Sequence, residues 1–228
     1  PTIDVLNALR NEGFQPFMAC QTRTRSEEKR DHTKHMIRLR HANQINGREA
    51  NEIILLNSHD GSSSYQMIAG MFRFVCSNGM VCGNAFGEVR VQHKGNVIDN
   101  VIEGAHEILE SLGKASELRE GMEAITLSAR EQEAFAKAAL ALKYDPSDST
   151  PAPITEEQIL MPRRYEDKKD DLWTTLARVQ ENLIKGGILA RTRKGRTTRT
   201  RAVTGIDQNV KLNRALWVLA EQMKALKA

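Results

Sequence analysis

Apolar residues recur at helical spacing in six stretches of the chain, and each stretch is predicted to form a helix. The stretches are residues 3–10, 97–112, 128–142, a short segment starting at 155, 172–185 and 212–223. Gly13 and Gly113 are placed to end the first two helices. Ser128 and Glu131 form a capping box for the third. The last third of the sequence is therefore predicted to be helical, apart from one basic interruption.

Strand patterns fill the region between the first two helices. Strands are predicted over residues 14–25, 34–41, 53–56, 71–76, 80–82 and 88–92. The run 53–56 is apolar at every position, which is typical of a central strand covered on both faces. Asn78 and Gly79 predict the tight turn of a hairpin. This order of elements predicts an α+β protein: a curved antiparallel sheet with helices on one face, followed by a helical C-terminal region.

Arginines alternate along the first two predicted strands. Arg23 and Arg25 lie two residues apart at the end of the first strand. Arg38 and Arg40 have the same spacing in the second. The charged segment SEEKRDH between them suits a hairpin connection, so the two strands are expected to pair with their arginines on one side. The pattern predicts a basic sheet surface that could follow the phosphates of a nucleic acid.

Length and composition indicate two compact regions. The chain has 228 residues and a mass of 25.6 kDa, more than one domain of ordinary size needs. The stretch YDPSDSTPAP is typical of a linker, so we expect an antiparallel-sheet domain over residues 1–145 and a helical region over residues 146–228. No apolar run reaches the roughly 20 residues of a membrane span, and three cysteines argue against a disulfide framework. These features predict a cytoplasmic protein.

A second basic segment interrupts the helical region. Residues 188–206 contain six cations and no acidic residue: Arg191, Arg193, Lys194, Arg196, Arg199 and Arg201. Threonines and glycines between them favour a loop, and a loop of this length in a folded region is often functional. Arginine and lysine neutralise phosphates, and threonine hydroxyls add hydrogen bonds to them. Nucleic acid is the predicted partner; a solvated basic loop without a ligand is the alternative.

The segment NSHDGSSSY resembles a catalytic site because it contains a histidine, an aspartate and serines close together in sequence. Neighbouring residues do not form a catalytic triad, whose members converge in space from distant parts of a chain. A polar turn fits better, with candidate phosphate contacts from four side chains: His59, Ser62, Ser63 and Ser64. The spacing of cysteines and histidines is not that of a zinc site, and no phosphate-binding glycine motif is found, so no metal and no cofactor are predicted.

Long motifs of the chain resemble a bacterial family carried by prophages and plasmids and catalogued as domain of unknown function 932. They are NEIILLNSHDGSSSYQMIAGMFRFVCSNGMVCGN, GFQPFMAC, PRRYEDKKDDLWTTLARVQENLIKGG and TRTRAVTGIDQNVKLNRALW. The resemblance covers nearly the whole chain and implies a bacterial mobile element, without implying a reaction. The order of elements is also similar, in topology only, to single-strand annealing proteins of the Rad-fifty-two and Erf type, which bind DNA along oligomeric rings.

Together these features lead to the hypothesis of a non-enzymatic protein that binds single-stranded nucleic acid. DNA is favoured over RNA, and strand annealing or recombination by a homo-oligomer is the expected use. Two other classes stay open. One is a protein-interaction effector of a prophage or plasmid that inhibits a host defence or replication factor, with the basic loop contacting an acidic partner. The other is an enzyme that uses His59 and Asp60.

Overall fold

The first half of the chain folds as an antiparallel sheet and the second half is mainly helical in the computed structural model of the protein. The structure describes residues 1–29, 32–46, 48–60, 63–74, 78–83, 86–145, 152–191 and 195–227. The helices of these residues are α1 (Thr2–Asn11), α2 (Val97–Glu123), α3 (Ala129–Lys143), α4 (Glu156–Leu160), α5 (Leu172–Lys185) and α6 (Ile206–Lys227). The strands are β1 (Phe14–Gln21), β2 (His35–His41), β3 (Ile45–Asn46), β4 (Glu49–Asn57), β5 (Tyr65–Arg73), β6 (Asn78–Val81), β7 (Glu88–Val91), β8 (Leu189–Arg191) and β9 (Thr197–Arg199). The predicted α+β class is confirmed.

The chain divides into two compact units, residues 1–116 and 117–228. The division falls within α2 and thus precedes the stretch proposed as a linker, most of which lies outside the described residues. Helix α3 packs against α4 and α6 in the second unit, because its buried face carries Phe135, Ala136 and Leu140. Composition predicted a linker there, whereas the two units follow from which residues contact each other.

The sheet of the first unit is antiparallel throughout, in the order β1, β2, β4, β5, with β6 and β7 both paired to the far edge of β5. We call the side that carries Ile37 and Leu39 the helix face. Asn51 on this face donates a hydrogen bond to Ser116 Oγ at 2.9 Å, which ties α2 to the sheet. Strand β4 is buried along its whole length, so the central position predicted from the apolar run 53–56 is confirmed.

The opposite side of the sheet, which carries Arg38 and Arg40, is the arginine face. Gly79 of β6 lies directly against Arg38 on this face. The predicted turn at Asn78 and Gly79 is wrong, because both residues pair within β6, with Gly79 opposite Phe72. A Cβ atom at Gly79 would overlap the guanidinium of Arg38. Glycine is needed here for the close approach of an arginine rather than for a turn.

Helix α2 is longer than the apolar stripe predicted, because Gly113 lies inside it and does not end it. A glycine that ends a helix adopts a positive φ, and Gly113 does not. Beyond it, Ala115 and Met122 continue the buried face of the helix. The sequence predicted an end at Gly113 because the apolar pattern stops there. The helix continues because residues beyond Gly113 are buried, and packing stabilises those turns.

Two glycines of α2 form a matched pair for a stability test. A Cβ at Gly104 would lie 2.5 Å from Met67 Cε and 2.6 Å from Val89 Cγ1, whereas nothing lies within 4 Å of one at Gly113. Alanine gains about 1 kcal/mol over glycine in a helix, and overpacking costs about 1–3 kcal/mol. We expect Gly104→Ala to lower the free energy of unfolding by about 1 kcal/mol and Gly113→Ala to raise it by up to about 1 kcal/mol in urea titrations. Equal effects of the two changes would contradict this packing.

The second unit is built around α5. Asp171 caps this helix by accepting a hydrogen bond from the Thr174 amide at 2.7 Å. Trp173 on α5 meets Trp217 on α6 edge to face, with ring centroids 5.9 Å apart, and both side chains are buried. The capping box predicted for α3 is confirmed: the Ser128 amide donates to Glu131 and the Glu131 amide donates to Ser128 Oγ. The Asp171 cap and the contact between the two tryptophans fix α5, the helix that β8 follows.

Candidate nucleic-acid interface

The basic segment of the second unit forms a short antiparallel hairpin, β8 and β9, and not the open loop that its composition predicted. The chain turns out of α5 through Gly186 and Gly187, whose φ angles are +63° and +79°. A Cβ at Gly186 would lie 2.7 Å from the Thr200 carbonyl oxygen. Amide hydrogen bonds between Gly187 and Thr200 and between Thr200 and Ile188 extend the pairing beyond the strands. Backbone pairing thus orders a segment that has little apolar surface to bury.

The register of the hairpin places arginines on its outer side. Arg191 lies opposite Thr197, and Leu189 lies opposite Arg199, so these four residues share one face. All four are exposed, whereas Ala190 on the other face is buried. Arg199 donates a hydrogen bond to the Gly187 carbonyl at 2.7 Å. The exposed face therefore presents guanidinium groups and a hydroxyl side by side.

The other predicted cations of the segment divide into two groups. Arg196 and Arg201 are exposed at the start and just beyond the end of β9. Arg193 and Lys194 lie outside the described residues. The hairpin thus holds four described arginines on one small element.

The net charge of the protein is concentrated in this hairpin segment. Residues 1–116 carry 13 basic and 13 acidic side chains, so the whole excess of +4 lies in residues 117–228. Within these, residues 188–206 hold six cations and no acid, and the remainder holds 14 basic and 16 acidic side chains. The net charge of this segment therefore exceeds the net charge of the entire chain. This gives a local positive potential that favours polyanions.

The predicted basic surface on the sheet is wrong, because Arg38 and Arg40 are buried. Strands β1 and β2 do pair as predicted, and both arginines do share one face. However, both donate to the buried carboxylate of Glu52, Arg38 through Nε and Arg40 through Nε at 2.7 Å. Arg38 also donates to the Met80 carbonyl at 2.8 Å. These guanidinium groups are paired inside the protein, since burial of a charge requires a partner, and they are not placed to follow phosphates.

Arg23 and Arg25 do not join that face either. Strand β1 ends at Gln21, which lies opposite His35, so the pairing stops before these arginines. Both are exposed in the connection that follows β1. The four sheet arginines of the prediction are therefore split into an exposed pair and a buried pair.

The structure reveals aromatic residues around Arg40 that sequence reasoning did not select. The Cζ atom of Arg40 lies 4.3 Å from the ring centroid of Phe17, 4.2 Å from that of Phe72 and 5.2 Å from that of Phe74. Phe17 is 53% exposed and Phe74 38% exposed. The two-residue spacing of Phe72 and Phe74 could have predicted that they share one face of a strand. It does not reveal which arginine they contact.

The predicted phosphate contacts lie at the end of the sheet, in a network of side-chain hydrogen bonds. The Nε2 atom of His59 lies 2.9 Å from Thr2 Oγ1, and His35 lies 3.2 Å from the same hydroxyl. Ser63 donates from its amide to Ser58 Oγ at 3.0 Å. Ser64 is half-buried, and Ser62 lies outside the described residues. Partial desolvation and the neighbouring His35 lower the pKa of His59, which disfavours the charged form that would attract a phosphate.

His59 should make folding stability depend on pH. Its pKa in the folded protein is lower than the ordinary value of 6.5, so the unfolded chain binds this proton more readily. The free energy of unfolding should therefore fall as the pH is lowered through 6.5 and below. We expect His59→Asn to flatten this fall in urea titrations, and Thr2→Val, which removes the hydroxyl but no titratable group, to preserve it. A profile unchanged by His59→Asn would show that other groups control it.

The described residues contain no group of three or more histidine, cysteine, aspartate or glutamate residues arranged to hold a metal ion. Over the same part of the chain, no helix combines the length and the apolar character that crossing a membrane requires.

The fold and the candidate interface describe an α+β protein with an exposed basic hairpin, and the comparisons assign its family. The chain belongs to the family described as Domain of unknown function (DUF932), which matches residues 1–217. It is 58% identical to the UPF0380 protein YfjQ and 57% identical to the UPF0380 protein YafZ, both of Escherichia coli (strain K12). Each alignment spans 223 residues, 98% of this chain and 81% of the relative. No solved structure matches the chain.

Proposed function

We propose that the protein binds single-stranded nucleic acid, DNA in the first place, through the β8–β9 hairpin. The observation that carries the proposal is the concentration of six cations without an acid on residues 188–206, four of them exposed arginines of described position. Each lysine or arginine that meets a phosphate releases counterions, which is the main source of affinity for nucleic acid. The hairpin can present its arginines to a phosphate backbone without any rearrangement of a buried group.

The test is fluorescence anisotropy of the purified chain with labelled single-stranded and duplex oligonucleotides of equal length over a series of salt concentrations. We expect tighter binding to the single strand and an affinity that falls with salt. If all six cations meet phosphates, the slope of log affinity against log salt is about −4, at roughly 0.7 for each phosphate neutralised on a single strand. Absence of binding at the lowest salt concentration would overturn the proposal.

Strand annealing by a homo-oligomer and an origin in a prophage or plasmid stay predictions. An annealing assay on complementary oligonucleotides, with the particle mass measured by light scattering on the same sample, tests the first of them. A host protein captured in stoichiometric amount and retained after nuclease treatment would instead favour the interaction-effector class.

A further inference from the structure

We propose that Phe17 and Phe74 form a platform on the arginine face of the sheet on which bases of a single strand stack. The inference rests on the proposed function and extends it, because it adds a base-stacking surface on the first unit. Stacking on aromatic rings tolerates any base sequence, since every base presents a π-face. Two rings, each more than one third exposed, lie on this surface.

A β-bulge brings Phe17 and Met18 to the same face of β1. Pro16 lies opposite Leu39 and Met18 lies opposite Arg38, so Phe17 is an extra residue without a partner on β2. Regular alternation would put Phe17 and Met18 on opposite faces, but the bulge lets Phe17 reach Arg40 on the arginine face, the face to which Met18 also belongs. Met18 is 46% exposed. Bulges on edge strands commonly redirect a side chain for function.

Arg40 holds the two rings in place. Its guanidinium is fixed by the 2.7 Å bond to Glu52, whose side chain is fully buried, and it contacts the faces of the rings from beneath. Phe72 and Phe74 meet edge to face at 5.6 Å, which further limits rotation of the exposed ring. A surface ordered before binding loses little conformational entropy when a ligand arrives. The buried ion pair is therefore a support for an exposed aromatic surface.

The charges of this surface favour a nucleic acid over an apolar partner. Arg38, Arg40 and Glu52 together leave one positive charge beneath the rings. The exposed Arg48 adjoins Phe74, since the Phe74 amide donates to the Arg48 carbonyl at 3.0 Å. Aromatic rings with cations beside them suit an alternation of bases and phosphates. Docking of an extended strand of a second copy on β1 is disfavoured, because Pro16 lacks an amide donor and the bulge disrupts the edge.

The experiment compares Phe17→Ala and Phe74→Ala with Ile3→Ala, which removes another exposed apolar side chain of the first unit. We expect each phenylalanine change to weaken single-strand binding about five-fold to 150-fold and to leave the salt slope unchanged, because every cation that meets a phosphate is still present. Ile3→Ala should leave the affinity unchanged. Phe17→Trp should keep the affinity, and its added fluorescence should be quenched by an unlabelled single strand.

The outcomes separate this inference from the proposed function. Binding by the unchanged protein, with the same affinity in Phe17→Ala, Phe74→Ala and Ile3→Ala, overturns the platform and leaves the hairpin proposal intact. An altered particle mass in light scattering at unchanged affinity also overturns it, in favour of a contact between copies. Absence of binding by the unchanged protein overturns both. Phe17→Trp keeps an aromatic ring at this position. If this variant loses affinity for the single strand while its thermal unfolding profile is unchanged, the loss does not come from misfolding, and stacking is contradicted.

Discussion

Replacing Arg191, Arg196, Arg199 and Arg201 together by glutamine is expected to flatten the salt dependence of single-strand binding by about 2.8 slope units, at roughly 0.7 for each phosphate no longer neutralised. The affinity at low salt should fall steeply as well, because the counterions released by these arginines supply most of it. Glutamine keeps a polar side chain at each position and removes the charge. The hairpin should persist, since its pairing is made by the backbone.

The matched control removes four other exposed cations of the same unit: Arg130, Lys137, Lys169 and Lys211. It changes the net charge by the same amount but touches neither β8 nor β9. If binding depends on this hairpin, the control keeps nearly the full slope. Equal losses in the two variants would mean that the nucleic acid responds to total charge alone, and the hairpin would no longer be the interface.

Replacing Glu52 by glutamine is expected to lower the free energy of unfolding by about 3–5 kcal/mol, well beyond the effect of either glycine change in α2. Its carboxylate is the shared partner of two buried arginines, and the change leaves their charges inside the protein without an anion. A small folded protein has only about 5–15 kcal/mol of stability in total, so much of it would be lost. Urea unfolding monitored by circular dichroism measures the difference.

Two further variants identify the cause of that loss. Glu120→Gln removes a carboxylate that is 66% exposed beside Arg119, and it should change stability by less than about 1 kcal/mol. Replacing Arg38, Arg40 and Glu52 together by methionine removes all three charges and should recover most of the loss, since buried ion pairs exchange for apolar groups at little cost. A triple variant as unstable as Glu52→Gln would indicate that packing, and not unpaired charge, sets the penalty.

Local signals predicted much of the fold because they depend on neighbouring residues. The capping box of α3 needs only Ser128 and Glu131, three positions apart. The apolar run of β4 identified a central strand, and β1 and β2 paired as expected. The predicted end of α2 at Gly113 was wrong because the end of a helix depends on whether its next turn is buried. Ala115 and Met122 are buried, and the sequence around them does not predict this.

The candidate interface was predicted in part for the same reason. The sequence by itself determined the cationic segment, since six cations without an acid cannot be neutral whatever the fold. It also placed Arg38 and Arg40 on one face, because strand alternation is local. Only the tertiary structure decided that these two arginines are buried, since Glu52 comes from the next strand of the sheet and accepts hydrogen bonds from both. Likewise, only the register of β1 against β2, with its one extra residue, brings Phe17 and Met18 to the same face, because a bulge exists only between paired strands.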